Sequence, residues 1–173
     1  MKTFNIYTIV TSLLLLMTGL TGYSQISKVD IIATGLTCSM CSNAINKQLK
    51  SLSQVSDITT DLNTNTFTVS FNNNQMVSPK VLKDAVEKAG FFVGSMVLTL
   101  EPENLKVDNY KAKIGDTSFV FMDEKKMNSA QVQYKVVDKG FVTQKEYKKL
   151  SKTYAKHGSY SSENSQMYHL IAL

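Results

Sequence analysis

The chain has 173 residues, 43% of them hydrophobic, and a formal net charge of +5 carried by 19 lysines against 14 acids, with no arginine. Phosphate clamping and bidentate base reading rely on the guanidinium fork, so the composition speaks against a nucleic-acid role, and the mild basicity reads as a solvated lysine surface. The two cysteines, Cys38 and Cys41, are too close to staple a fold, because a disulfide stabilises by closing a loop, and a local redox or metal site is the better explanation.

Taken in chain order, Lys2, the apolar run from Ile9 to Met17 and the small residues of Gly22-Tyr23-Ser24 have the three regions of a secretory leader. The run is shorter than the roughly 20 residues a bilayer-spanning helix needs. Residues 1–24 are therefore expected to be removed, leaving a soluble periplasmic or secreted chain that begins near Gln25, with no lipid-anchoring cysteine and no later span.

Lys28 to Ala33 is apolar and β-branched like a strand, and Thr34-Gly35-Leu36-Thr37 breaks it. Ala44, Ile45, Leu49 and Leu52 then recur at helical spacing from Ser42 onward. Val55 to Leu62 predicts a strand, Asn63 to Thr66 a hairpin turn, and Phe67, Val69 and Phe71 the inward face of the next strand. A second helix has Ser78 as N-cap, Pro79 at the first helical position, a stripe of Val81, Leu82, Ala85, Val86 and Ala89, and Gly90 just past its end. Phe91 to Leu100 gives a fourth strand. The order β-α-β-β-α-β is that of the ferredoxin-like fold, an α+β class, over residues 25–100.

Glu101 to Asn104 interrupts the pattern and is expected to be a linker. Beyond it, residues 105–173 predict a second, β-rich α+β domain, OB-like or an open barrel. Its expected strands are Lys106 to Ile114, Thr117 to Met122, Ser129 to Val137 and Met167 to Leu173. Thr143 and Glu146 form a capping-box signature for a helix that buries Tyr147, Leu150 and Tyr154 and stops at Gly158.

The segment Gly35-Leu36-Thr37-Cys38-Ser39-Met40-Cys41 followed by a helix resembles the signature of the heavy-metal-associated domain, found in copper chaperones, copper-exporting ATPases and periplasmic mercury-binding proteins. The resemblance covers about residues 28–100, with Leu36 standing where the family has a packing methionine. It implies that Cys38 and Cys41 are the metal ligands and that Phe91 covers the loop from behind. It also implies a partner that donates or accepts the metal, such as a copper-transporting ATPase or a cuproprotein, reached through a three-coordinate thiolate intermediate. The stretch after residue 101 resembles no family.

The residue chemistry agrees. Thiolates suit soft ions, and Cu(I) and Hg(II) accept two nearly linear sulfur ligands. Cys41 lies at a helix start, where the positive end of the macrodipole favours the thiolate and lowers its pKa. Zn(II) in a closed structural site wants four ligands, and His157 and His169, in the other domain, would have to supply the remaining two. The simpler expectation puts His157 in a last helical turn and His169 on the surface. A thioredoxin-like redox role is the rival reading of Cys38 and Cys41, but the aromatic and proline usual to that motif are replaced by Thr37 and Ser39-Met40. Met40 is expected to face solvent, and Met122, Met127 and Met167 to be core or edge residues. No nucleophile, acid and base set accompanies the cysteines, so no catalysis is expected.

Overall fold

A computed structural model describes residues 26–36, 39–72, 77–101, 105, 107–123, 132–160 and 167–173. Residues 1–24, expected to be a leader, Thr37, Cys38, Met127 and residues 102–104 of the expected linker lie outside them.

Strand β1 (Ile26–Thr34) buries Val29, Ile31 and Ala33 on one face, the period of two that a half-covered strand dictates. Helix α1 (Ser39–Lys50) starts earlier than the apolar spacing indicates. It buries Ser42, Ile45 and Leu49, whereas Ala44 faces solvent. Strands β2 (Val55–Asp61) and β3 (Thr66–Phe71) form the expected hairpin, and helix α2 (Pro79–Lys88) buries Leu82, Ala85 and Val86 but leaves Val81 exposed. Strand β4 (Phe92–Leu100) closes the unit on the far side of β1, giving the order β2-β3-β1-β4 with antiparallel pairings. This is the ferredoxin-like arrangement. Fully buried side chains such as Ile45, Leu49, Phe67 and Leu82 contribute about 1.5–3 kcal/mol each by leaving water.

Where the sequence predicts one strand from Lys106 to Ile114, the chain folds back on itself. Strands β5 (Val107–Asp108) and β6 (Lys111–Ile114) flank a two-residue turn in which Asn109 and Tyr110 both adopt positive φ, 48° and 61°. That conformation at both central positions matches the twist of a tight hairpin. Strands β7 (Thr117–Phe121) and β8 (Val132–Val136) follow, then helix α3 (Gln144–Thr153) and strand β9 (Met167–Ala172). The second half is thus the β-rich α+β unit expected.

Its strands continue the sheet of the first half. Strand β8 pairs antiparallel with β4, from Val97↔Lys135 to Leu100↔Val132, and the full order is β2-β3-β1-β4-β8-β9-β7-β6-β5. Strand β9 lies between β8 and β7 and is parallel to β7, so the sheet is mixed. One hydrophobic core runs from Phe67 and Val69 through Leu98 and Leu100 to Val132, Phe119 and Leu170. No helix among the described residues is long and apolar enough to cross a membrane.

Helix α3 departs from expectation. The Thr143 hydroxyl does accept the Glu146 N–H at 3.3 Å, as the capping signature requires, but the helix ends at Thr153 rather than near Gly158. None of its residues is fully buried, and Tyr147, Leu150 and Tyr154 are half-covered.

Candidate metal centre

Strand β1 delivers the chain to the loop, and Gly35 turns it there with φ +89°, a conformation that L side chains rarely adopt. Leu36 is half-buried and packs on the core, the role the sequence assigned it. Cys38 lies outside the described residues. Cys41 is half-buried in the first turn of α1, where backbone N–H groups lack intrahelical acceptors and the helix dipole favours negative charge. Between the cysteines in sequence, Met40 is 81% exposed, as expected of a side chain facing solvent.

A second support comes from the end of α2. Gly90, at φ +91°, donates its N–H to the Glu87 carbonyl, and the Phe91 N–H reaches the Val86 carbonyl at 3.2 Å, a Schellman termination. The turn sends Phe91 under the loop, where its Cδ1 is 3.8 Å from the point a Cβ on Gly35 would occupy. Phe91 therefore packs where the resemblance put it. Next to it Gly94 in β4 is squeezed, because a Cβ there would come within 2.5 Å of Thr34 Cγ2.

The other half contributes a helix cap that no local pattern announces. Ser78 occupies the N-cap position of α2, but its side chain makes no capping hydrogen bond. The Tyr168 hydroxyl of β9 instead accepts the Lys80 N–H at 3.2 Å and lies 3.2 Å from Ser78 Oγ.

His157 and His169 are both placed differently from expectation. His157 follows the end of α3, exposed, with its ring 5.8 Å from that of Tyr154. His169 is a core residue, 1% exposed. Its ring Nδ1 is 2.7 Å from Asp138 Oδ1, its backbone N–H donates to Asp138 Oδ2 at 2.6 Å, and its Nε2 is 3.1 Å from Ser159 Oγ. A carboxylate only accepts, so in the neutral ring Nδ1 carries the proton and Nε2 accepts from the serine. Tyr160 stacks edge-on against the ring at 5.1 Å and donates to the Val137 carbonyl at 2.6 Å. Burial, with Asp138 nearby, pushes the Tyr160 phenol far above its ordinary range. The connectivity from carboxylate to imidazole to hydroxyl is that of a nucleophile relay, but an imidazole so completely covered has no path to a substrate. It ties the 138–160 segment to β9. Both ring nitrogens of His169 are engaged by Asp138 and Ser159, and no group of three or more metal-binding side chains occurs among the described residues, which do not include Cys38.

Comparison with known proteins places the metal loop in a family. The heavy-metal-associated domain matches residues 30–92. The yeast copper transporter domain Ccc2a, studied in apo and Cu(I)-loaded states, is 35% identical over 38% of this chain and 88% of its own, with a TM-score of 0.34. The N-terminal domain of a potential copper-translocating P-type ATPase from Bacillus subtilis is 32% identical over 38% of this chain and 81% of its own, with a TM-score of 0.35. The CopZ metallochaperone is 24% identical, covering 39% of this chain and 98% of its own, at a TM-score of 0.36. No curated protein matches the chain. With that family matched at residues 30–92 and a 35% identical relative covered over 88% of its length, the chain over residues 30–92 belongs to the heavy-metal-associated domain family.

Proposed function

We infer that this is an exported copper protein that holds one Cu(I) between the thiolates of Cys38 and Cys41 and exchanges it with a partner. The observation that carries the reading is the position of Cys41 in the first turn of α1, after a loop that Phe91 backs at Gly35, inside the region matched to the metal-binding family. Two thiolates on a short loop satisfy the coordination of a soft d¹⁰ ion without further ligands. The engagement of His169 by Asp138 and Ser159 supports a two-sulfur site over a Cys2His2 zinc site. Hg(II) shares the softness of Cu(I) and would occupy the same pair. Export rests on the leader at residues 1–24, and the metal would be loaded and passed on in the periplasm or outside the cell. A donor or acceptor protein, such as a copper-transporting ATPase or a cuproprotein, would attack the metal with its own thiol at the shallow loop.

The test is competition for Cu(I) against a chromophoric chelator, using the reduced full chain, Cys38→Ser and Cys41→Ser. About one equivalent should bind to the parent chain, and each substitution should weaken binding severely, because one sulfur cannot supply a two-coordinate thiolate site. Equal uptake by parent and variants would remove the proposed site. Turnover in an insulin-reduction assay, abolished by the same substitutions, would favour the oxidoreductase reading instead.

A further inference from the structure

The net charge of the chain is unevenly placed. Residues 25–104 carry six lysines against seven acids, a net of −1, whereas residues 105–173 carry 12 lysines against seven acids, a net of +5. Such asymmetry between halves points to a membrane or nucleic-acid surface, and the lack of arginine speaks against the latter. Within the basic half the charge gathers on helix α3, whose ten residues include Lys145, Lys148, Lys149 and Lys152. At 3.6 residues per turn these four fall within about 100° of the helix circumference. All four are exposed, and none has an ion-pair partner among the described residues.

The opposite side of the helix is already used. The Tyr147 ring lies 6.0 Å from that of Tyr160, Leu150 is half-buried on the same side, and Tyr154 at the C-cap has its ring 5.9 Å from Tyr160. Glu146, the one acid of the helix, pairs with Lys135 of β8 and gives the four lysines no counter-charge. The lysine face therefore has charge but no apolar anchor to insert, and no guanidinium fork to grip a particular carboxylate. From Lys145 to Lys152 it spans about 10 Å at 1.5 Å per residue, close to one Debye length, so its charges act together. A cluster of four lysines on one helix face is the pattern that anionic lipid headgroups attract.

We propose that the lysine face of α3 is a docking surface for an anionic phospholipid bilayer, held by electrostatic attraction without insertion. The half with the cysteine loop, at a net of −1, has no matching attraction, so adsorption runs through the second half. The proposal stands apart from the copper reading, because no cysteine takes part in it. It gives the second half a task of its own, which is to hold the chain at a membrane surface.

The test is co-sedimentation of the processed chain, without the apolar run of residues 1–24, with vesicles of phosphatidylcholine and phosphatidylglycerol in equal parts and with pure phosphatidylcholine. The chain should bind the anionic vesicles and not the neutral ones, and added salt should release it by screening. Each lysine near such a surface is worth about fivefold in partition, so Lys145→Gln/Lys149→Gln/Lys152→Gln should weaken binding about a hundredfold. These side chains are exposed, and far-UV circular dichroism of the variant should match the parent. Lys47→Gln/Lys50→Gln/Lys88→Gln removes the same charge from exposed positions of the first half and should weaken binding less than about tenfold. Cys38→Ser should adsorb as the parent does, whatever becomes of its copper. No binding to anionic vesicles, equal binding to neutral ones, or an equal loss in the two triple variants would each overturn the lipid surface. Binding to polyglutamate or duplex DNA without binding to vesicles would overturn it in favour of an acidic protein or a nucleic acid.

Discussion

The two halves of the sheet are held together in different ways. In the first, helix α1 packs against β2 and helix α2 against β4, and the buried side chains recur at the spacing of the elements that carry them. In the second, helix α3 buries none of its residues, and much of the order comes from long-range pairs: Phe121 with Tyr134 at 5.0 Å, Phe141 with Tyr168 at 5.4 Å, and His169 with Asp138. The contrast teaches that the metal-bearing half is specified by local pattern, while the other is specified by what it meets, including the edge of the first.

Three substitutions probe that contrast, in decreasing order of expected effect. Leu98 is fully buried in β4, where Tyr134 of β8 is its register partner. Leu98→Ala should cost about 2–5 kcal/mol through lost burial and the cavity left behind. Because the core crosses from one half to the other, denaturant should unfold parent and variant in one transition by fluorescence and far-UV circular dichroism. Separate transitions would break the idea of a shared core.

Asp138→Ala should be next, at about 1–3 kcal/mol, because it leaves buried donors of His169 without an acceptor. The loss belongs to the second half, so Cu(I) stoichiometry at Cys38 and Cys41 should be unchanged in chelator competition. A variant that lost its copper as well would show the network reaching the loop.

The smallest effect is expected from Tyr168→Phe, which keeps the ring in its aromatic cluster and deletes only the oxygen that accepts the Lys80 N–H. Removing a helix cap costs about 1 kcal/mol, and hydrogen exchange at Lys80 should quicken. Unchanged exchange would mean that Ser78 takes over the cap.

These experiments divide along the same line as legibility. The βαββαβ order, the Gly90 termination that aims Phe91 and the Thr143 cap were readable because each is set by neighbours a few residues apart. The hairpin at Asn109 and Tyr110 was not, since nothing in the local pattern announces two consecutive positive-φ residues without glycine. The burial of His169 escapes the sequence pattern for another reason. Alternation along β9 separated it correctly from Tyr168 and Leu170, but a period of two reveals only that faces differ, and here the 138–160 segment covers the second face as well. Ala44 and Val81 fit the helical spacing but lie at the margin of stripes whose centres pass through Ser42 and Leu82. In each helix a small or β-branched apolar residue at the margin tolerates water.

By itself the sequence determined which side chains the loop carries, because the identity and spacing of Cys38 and Cys41 are properties of a short stretch of chain. It also determined the elements that carry the loop, since hydrophobic periodicity and cap residues act over one or two turns. The tertiary structure decided that β4 is shared by both halves, that Tyr168 caps a distant helix and that His169 is sealed. Strand edges and buried polar groups find partners far away in sequence, and which partner arrives depends on how the whole sheet closes around them.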